Sequence, residues 1–573
     1  MVGMPTYRTT YLKDFIVDRL REAYEELRDA EPAVPIDVRL NDRPEHGDFS
    51  TNMAMLLASA EGTAPRALAA ELSGRLSGPD FQQVEVAGPG FINVFLTAER
   101  LQSTLSRLLQ DDAEYGRLSP GGTGLKTQVE FVSSNPTGPL TVGHGRQAVL
   151  GDVLATLYEW LGHDVHREYY FNDEGRQIDL LADSAAERVL ESELGTEPNI
   201  PKDGYAGEYL KEVARAILAE NAEVAAAVER IRAEPSDRIS RAVLYEHLDP
   251  TILRREATER IIQTIQEDLA QLGVRFNTWF SEADLHRSGE VDRALAALRA
   301  NEGVYERDGA VWLSAEAHGG AKDSVLIRSD GRPTYLMVDI AYHINKRERG
   351  FDHVINVQGA DHHAEQSCMK AAMRILGYPE GWLSYAVHQF VSLKEGGETL
   401  KMSTRAGRFV TLRDLIQELG RDIVRYFMIS RKPEAHLDFD LDLARAESLD
   451  NPATYIQYAH TRIASIFRKA ASEETDWGNV DLSPLVETEE LALIKSLDRF
   501  PEVVRTAAEG FAPHLLAEYA LDLSRSFHAY YDKHRVLTDD EKLSRARLAL
   551  LFALRTVVRN ALEILGMQVP EEM

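Results

Sequence analysis

From Thr127 to Leu157 the chain reads TQVEFVSSNPTGPLTVGHGRQAVLGDVLATL. TQVEFVSS is a short buried strand in prospect, Pro136, Gly138 and Pro139 stiffen its exit, and an apolar helix runs on from about Gly145. DVHREYYFND is then a second strand candidate. Strand, loop, helix and strand in that order predict a parallel α/β sheet. Gly143 and Gly145 leave no side chain on either side of His144, so backbone N–H groups can approach a ligand at a helix start whose dipole favours anions. His144 adds a directed donor for charge that builds in a transition state. A tight strand-to-helix connection with a capping histidine fits the same residues, and this loop alone does not separate the two.

The remaining pattern divides the chain. At roughly 150 residues per domain, 573 residues exceed one core and predict about three to five units. Residues 1–118 form an expected α+β domain. It has an amphipathic helix over 8–30, a strand at PIDVRL, a capped turn into a helix at HGDFSTNMAMLLASA, and two strands about the Gly-Pro-Gly bend of QVEVAGPGFINVFLT. SPGGTG, 119–124, is a linker. A parallel-sheet domain is expected over 125–395, with a charged helical insertion at about 178–275 and later strands at GAVWLS, SVLIRS, TYLMVDIAY, DHVINVQG and SYAVHQFVSL. From 411 onward the pattern is helical apart from short loops. Residues 396–448 connect, and an all-α helical bundle over 449–573 starts at Asn451-Pro452.

Composition narrows the classes. Hydrophobic content of 44% with 27% charged residues is that of a globular protein, and no run of eighteen apolar residues predicts a membrane span. Lys13, Asp14, Asp18, Arg19 and Arg21 interrupt any signal-peptide pattern. Cys368 is the one cysteine, which excludes an internal disulfide and a multi-cysteine zinc cage. No zinc is expected, and a reducing, cytoplasmic setting is. A net charge of −28 repels phosphates, so no DNA partner is expected, although a local basic groove is compatible with one RNA.

A second loop changes the weight of the first. In GGETLKMSTRAGRFVTL, Gly396, Gly397 and Gly407 flank Lys401 and Arg405, a cationic loop able to close on a triphosphate and neutralise departing pyrophosphate. With both loops in view the chain resembles the arginyl-tRNA synthetase family of class I aminoacyl-tRNA synthetases. NPTGPLTVGHGR is similar to that family's HIGH region and KMSTRAG to its KMSKS loop. GDFSTNMAM and AGPGFINVFL resemble its additional N-terminal domain. YYFNDEGRQI, TYLMVDIAYH and INVQGADHHAEQ resemble its catalytic domain, and NPATYIQYAHTRI and LGMQVPEEM its anticodon-binding domain. The chain departs at Thr141, where the motif has its first histidine, and at Thr404, where it has its second lysine, with Arg405 beside it.

The resemblance implies a Rossmann-like catalytic domain and a set of site residues. His144, Lys401, Ser403 and Arg405 are the expected catalytic group. Glu130, Asn135, Thr141, Tyr335, Asp339 and Gln358 are expected to hold arginine, because a planar guanidinium pairs best with carboxylates in forked geometry. Ion pairs of the two acids with Arg328, Arg332 or Lys346 are the alternative. Gly138, Gly143, His144, Gly145, Gly359, Asp361, His362 and Lys401 are expected at ATP, where a glycine beside an acid suits the ribose diol. No resident metal is expected of Asp361, His362 and His363, since one short segment cannot turn all three onto one ion. Mg²⁺ is expected with ATP.

The reaction implied is attack of the arginine carboxylate on the α-phosphorus of ATP, then transfer from the adenylate to the terminal ribose of tRNA(Arg), with activation requiring bound tRNA. Phe91 and Asn93 are expected at the tRNA elbow, and Tyr455, Tyr458 and Arg462 at unstacked anticodon bases. A monomer is expected. A synthetase for another amino acid and a non-catalytic RNA-binding relative, suggested by Thr141 and Thr404, are the competing readings.

Overall fold

The computed structural model describes residues 11–573 except 42, 120, 236–237, 401–409 and 471–475. At its centre five parallel strands stand in the order Leu383–His388, His353–Gly359, Lys126–Glu130, Asp164–Phe171 and Thr278–Ser281. The strand that comes first in sequence is the middle one. The chain builds outward from it on one side, then crosses over and builds on the other. The switch point lies between Lys126–Glu130 and His353–Gly359, where Glu130 is the register partner of Asn356. Crevices for ligands open at such points, beyond the carboxyl ends of the strands.

The helix Val142–Trp160 follows the middle strand and is buried along most of its length. Gly151 lets it lie against the sheet, for a Cβ there would meet the Phe131 ring at 2.2 Å. The helices between Arg176 and Gln271 form the insertion, entered after Asp164–Phe171 and left at Thr278–Ser281.

Several expected strands fall elsewhere. TYLMVDIAY is the start of a helix, Tyr335–Glu348, whose Thr334 cap accepts from the Met337 N–H and whose buried Met337, Val338, Ile340 and Ala341 follow helical spacing. GAVWLS and SVLIRS belong to a separate antiparallel sheet of Val304–Arg307, Ala310–Leu313 and Ser324–Ile327. SYAVHQFVSL breaks after His388. Its second half, Val391–Glu395, pairs in parallel with Leu437–Asp440, a strand inside the region expected to be helical.

The N-terminal sheet runs Val38–Leu40, Phe49–Thr51, Phe91–Leu96 and Phe81–Ala87, all antiparallel. Its domain docks on the C-terminal helices. Asp498, at the end of Thr488–Asp498, accepts from the N–H groups of Tyr11 (2.9 Å) and Leu12 (3.1 Å), the first two residues of the helix Tyr11–Arg28. Lys495 pairs with Asp48 at 2.5 Å, and the Tyr115 hydroxyl donates to the Leu497 carbonyl. Among the described residues no helix is long and apolar enough to cross a membrane.

Candidate active site

The strand Lys126–Glu130 ends in a strained bend. Val132 and Ser133 both take positive φ, 68° and 40°, which side chains rarely adopt. The bend delivers the chain to the start of Val142–Trp160. There the Thr141 N–H donates to Nδ1 of His144 at 3.1 Å, so the histidine caps its own helix. With Nδ1 accepting, the proton of the neutral ring is assigned to Nε2, which becomes a donor. Burial, then the neighbouring His388, pushes the pKa of His144 down to about 4, so the ring is neutral at pH 7. Capping through Nδ1 thus leaves Nε2 available for the donor role expected of His144.

The glycines of this loop differ in purpose. A Cβ on Gly143 would meet only the Thr141 hydroxyl, at 3.7 Å, so this position faces open space. Gly145 is buried, and its Cβ would strike Leu412 at 2.7 Å and Met428 at 3.4 Å. Its smallness serves packing rather than the expected nucleotide contact. Gly138 lies against the ring of Tyr209, which donates to the Thr137 carbonyl at 2.6 Å. Leu412, past the second loop, donates its N–H to the Leu140 carbonyl at 2.8 Å, and Thr411 bridges to Thr141. Lys401, Ser403 and Arg405, with Thr404, lie outside the described residues.

At the other end of the crevice Glu130 and Asp339 are the two ends of one buried chain of hydrogen bonds. Glu130 accepts from Lys346 Nζ at 2.6 Å and from the Ser133 hydroxyl at 2.9 Å. Lys346, fully buried, also donates to Asn356 Oδ1 at 3.0 Å and lies over the Tyr342 ring. Asn356 Nδ2 meets His343 Nε2 at 2.9 Å, and His343 Nδ1 reaches the carbonyl of Asp339 at 2.8 Å and its carboxylate at 3.2 Å. With the His343 proton assigned to Nδ1, Nε2 accepts from Asn356, and the series runs donor to acceptor from Lys346 to Asp339.

Asp339 sits deep among protein atoms yet keeps 40% of its side chain open, as at the floor of a crevice. Burial raises its pKa, but His343, Lys346 and His362 outweigh it and hold the carboxyl below its ordinary range. Both acids act on Tyr170 and on Tyr385, whose hydroxyls burial and these charges keep protonated. Glu130 is thus paired with Lys346, one of the partners expected as an alternative, while the Asp339 carboxylate stays partly open.

The other expected residues scatter around this axis. Tyr335, one turn before Asp339, is 71% exposed. Asn135 is exposed and donates to Gln177 at 2.6 Å, and Gln358 accepts from Gln366 at 3.2 Å. The Asp361 carboxylate folds back over Gly359, while His362 turns to Glu365 at 2.9 Å. Phe91 is 40% exposed, beside the Gly88–Gly90 bend. Asn93 is only 5% exposed within its strand, which takes it away from the expected RNA surface. Tyr455 and Tyr458 flank His528 at 4.9 and 5.6 Å, and Arg462 donates to the Tyr458 hydroxyl at 2.7 Å while lying over Tyr531.

Asn356, His343, Tyr385 and His388 do not stand out in the sequence, and Lys346 does so only as one of three cations offered to the two acids. His343 and Lys346 follow Asp339 at helical spacing, which groups them on one face only in a helix. Glu168 is another: fully buried, it holds Arg349 in a forked pair at 2.6 and 2.7 Å and supports Tyr342. A cavity of about 640 Å³ opens beside Pro139 and Tyr209, where Glu212, Glu220, Glu256, Glu259 and Glu267 outnumber Arg260 and Arg413.

A phosphate-ready helix start and an acidic crevice, on either side of the switch point of a parallel sheet, define a class I aminoacyl-tRNA synthetase. The model of the family "tRNA synthetases class I (R), catalytic domain" matches residues 104–440. "Arginyl tRNA synthetase N terminal domain" matches 11–96 and "DALR anticodon binding domain" 456–573. The chain belongs to the arginyl-tRNA synthetase family. An arginine–tRNA ligase of Geotalea daltonii is 44% identical over 92% of this chain and 93% of its own. One of Thermotoga maritima is 43% identical over 94% and 96%. The arginyl-tRNA synthetase structure from Thermus thermophilus superposes with a TM-score of 0.74 at 27% identity, covering 98% of this chain and all of the other. The Plasmodium falciparum arginyl-tRNA synthetase, 17% identical, shares the fold with a TM-score of 0.73 over 99% of this chain and all of its own.

Proposed function

We propose that this chain is an arginine–tRNA ligase whose crevice runs from Asp339 to His144. The observation that carries the reading is the buried series Glu130–Lys346–Asn356–His343–Asp339. Lys346 satisfies Glu130, and Asp339 is left open, ionised and rigidly oriented to receive the guanidinium. Tyr335 closes over the substrate head group, and Asn135 takes its amino-acid end. ATP lies along Gly143 and His144, with its ribose at Gly359 and Asp361. His144 donates from Nε2 to the phosphates as the arginine carboxylate attacks the α-phosphorus and pyrophosphate leaves. A neutral donor there needs no proton transfer during the step. Catalysis is then positioning and charge stabilisation. Lys401, Ser403 and Arg405 serve the departing pyrophosphate.

In the second step the terminal ribose hydroxyl of tRNA(Arg) attacks the adenylate carbonyl and AMP leaves. Phe91 contacts the elbow, and Tyr455, Tyr458 and Arg462 present stacking surface to the anticodon. Mg²⁺ enters as the counter-ion of ATP, held by phosphates and water. The enzyme works as a cytoplasmic monomer. Charging of total tRNA with radiolabelled arginine, and with each other amino acid in parallel, is the test. Arginine alone is expected to label. Labelling by another amino acid, or by none, removes the reading.

A further inference from the structure

We propose that Arg146 is a positioning residue for the ATP end of this crevice: it fastens the carbonyls of Gln389, Lys432 and Ala435 to the helix turn that carries His144. The inference rests on the reading above and adds a residue to it. Arg146 lies two places after His144 in the same helix start. The structure turns it inward. Arg146 is 1% exposed, its Nη1 lies 2.7 Å from the Gln389 carbonyl and 2.9 Å from that of Ala435, and its Nη2 lies 2.9 Å from that of Lys432. Among the described residues no carboxylate forms an ion pair with it. Burial lowers its pKa to about 10, which leaves it charged at neutral pH.

A buried cation is costly unless its donors are all engaged. Here carbonyl dipoles engage it, and unlike a carboxylate they belong to the backbone. What the guanidinium holds is therefore the course of two stretches of chain, one at Gln389 and one at Lys432–Ala435. Gln389 follows His388, the last residue of its strand and the register partner of Gly359. Pro433 accepts from the Gln389 N–H, and Phe390 accepts from Leu437, so the carbonyls clasped by Arg146 belong to two segments already laid side by side. One side chain closes the seam between these strand ends and the first turn of Val142–Trp160. Only a planar head with five divergent donors spans three carbonyls. Lysine keeps the charge but not the fork.

The test uses full-length R146K and R146M in ATP–pyrophosphate exchange with tRNA present, with kcat scaled to active sites titrated by adenylate formation. Both variants are expected to lose about tenfold or more in kcat per active site and to raise KM for ATP severalfold. KM for arginine should stay within about twofold, because the Asp339 network stands on other elements. R146K should not rescue R146M. Wild-type kcat and KM values in R146K with only a lower Tm would reduce Arg146 to a fold-stabilising residue and overturn the proposal, as would equal rises in both KM values. If R146M does not fold, R146K and R146Q carry the same readouts. Absence of arginine-dependent exchange in the wild type would instead sink the functional reading itself.

Discussion

Asp339 and Glu130 bring like charge into one crevice but stand in different states. Glu130 is neutralised by a buried lysine, while Asp339 has a histidine on one side and space on the other. Asp339→Asn is therefore expected to raise KM for arginine about 30-fold or more while leaving KM for ATP unchanged, measured by ATP–pyrophosphate exchange. Lys346→Met should destabilise the fold by about 3–5 kcal/mol in urea unfolding, since it strands a buried carboxylate, and adding Glu130→Gln should recover most of that loss. The depressed pKa of His144 has its own sign. The unfolded chain binds a proton below about 6.5 that the folded protein refuses until about 4. His144 thus lowers stability as pH falls through that window, and His144→Gln should flatten this part of the curve of urea midpoint against pH. At this scale the sequence exposed the residues whose chemistry is unusual for their surroundings, such as a histidine between glycines. It hid Asn356 and left Lys346 as one of three possible partners, because a buried polar residue in an apolar stretch shows its partner only once the chain is folded.

The start of Val142–Trp160 and the start of Leu412–Leu419 meet at Gly145. Gly145→Ala should overpack the contact with Leu412 and cost about 1–3 kcal/mol, and Leu412→Ala should restore activity to that variant beyond its effect alone. Paired melting curves and exchange rates check both arms. Elements whose pattern and flanking turns agree are legible: the first parallel strand, the helix Val142–Trp160 after it, and the two strands about Gly88–Gly90. TYLMVDIAY is not, because aromatic and branched residues suggest a strand locally while the Thr334 cap and the tertiary contacts select a helix. SYAVHQFVSL reads as one strand because nothing in its composition marks the change of sheet after His388. That change depends on Leu437–Asp440, a partner distant in sequence.

The whole molecule is tied together between its N-terminal domain and its C-terminal helices. Asp498 caps a helix nearly five hundred residues away in sequence, and burial pushes its pKa up to about 7 against the pull of the Leu12 and Tyr11 N–H groups. The folded protein therefore keeps a proton that the unfolded chain releases near pH 4. The resulting stabilisation is complete below that pH and fades as pH rises to about 7. Asp498→Asn should flatten this part of the stability–pH curve, as read from urea midpoints across the range. The same contact changes what the linker at 119–124 is for. Since Asp498, Lys495 and Leu497 hold the first domain directly, covalent continuity at Gly121–Gly124 is not what keeps it in place. A protease nick there should leave two polypeptides that migrate together on gel filtration and still charge tRNA, parting only in denaturant.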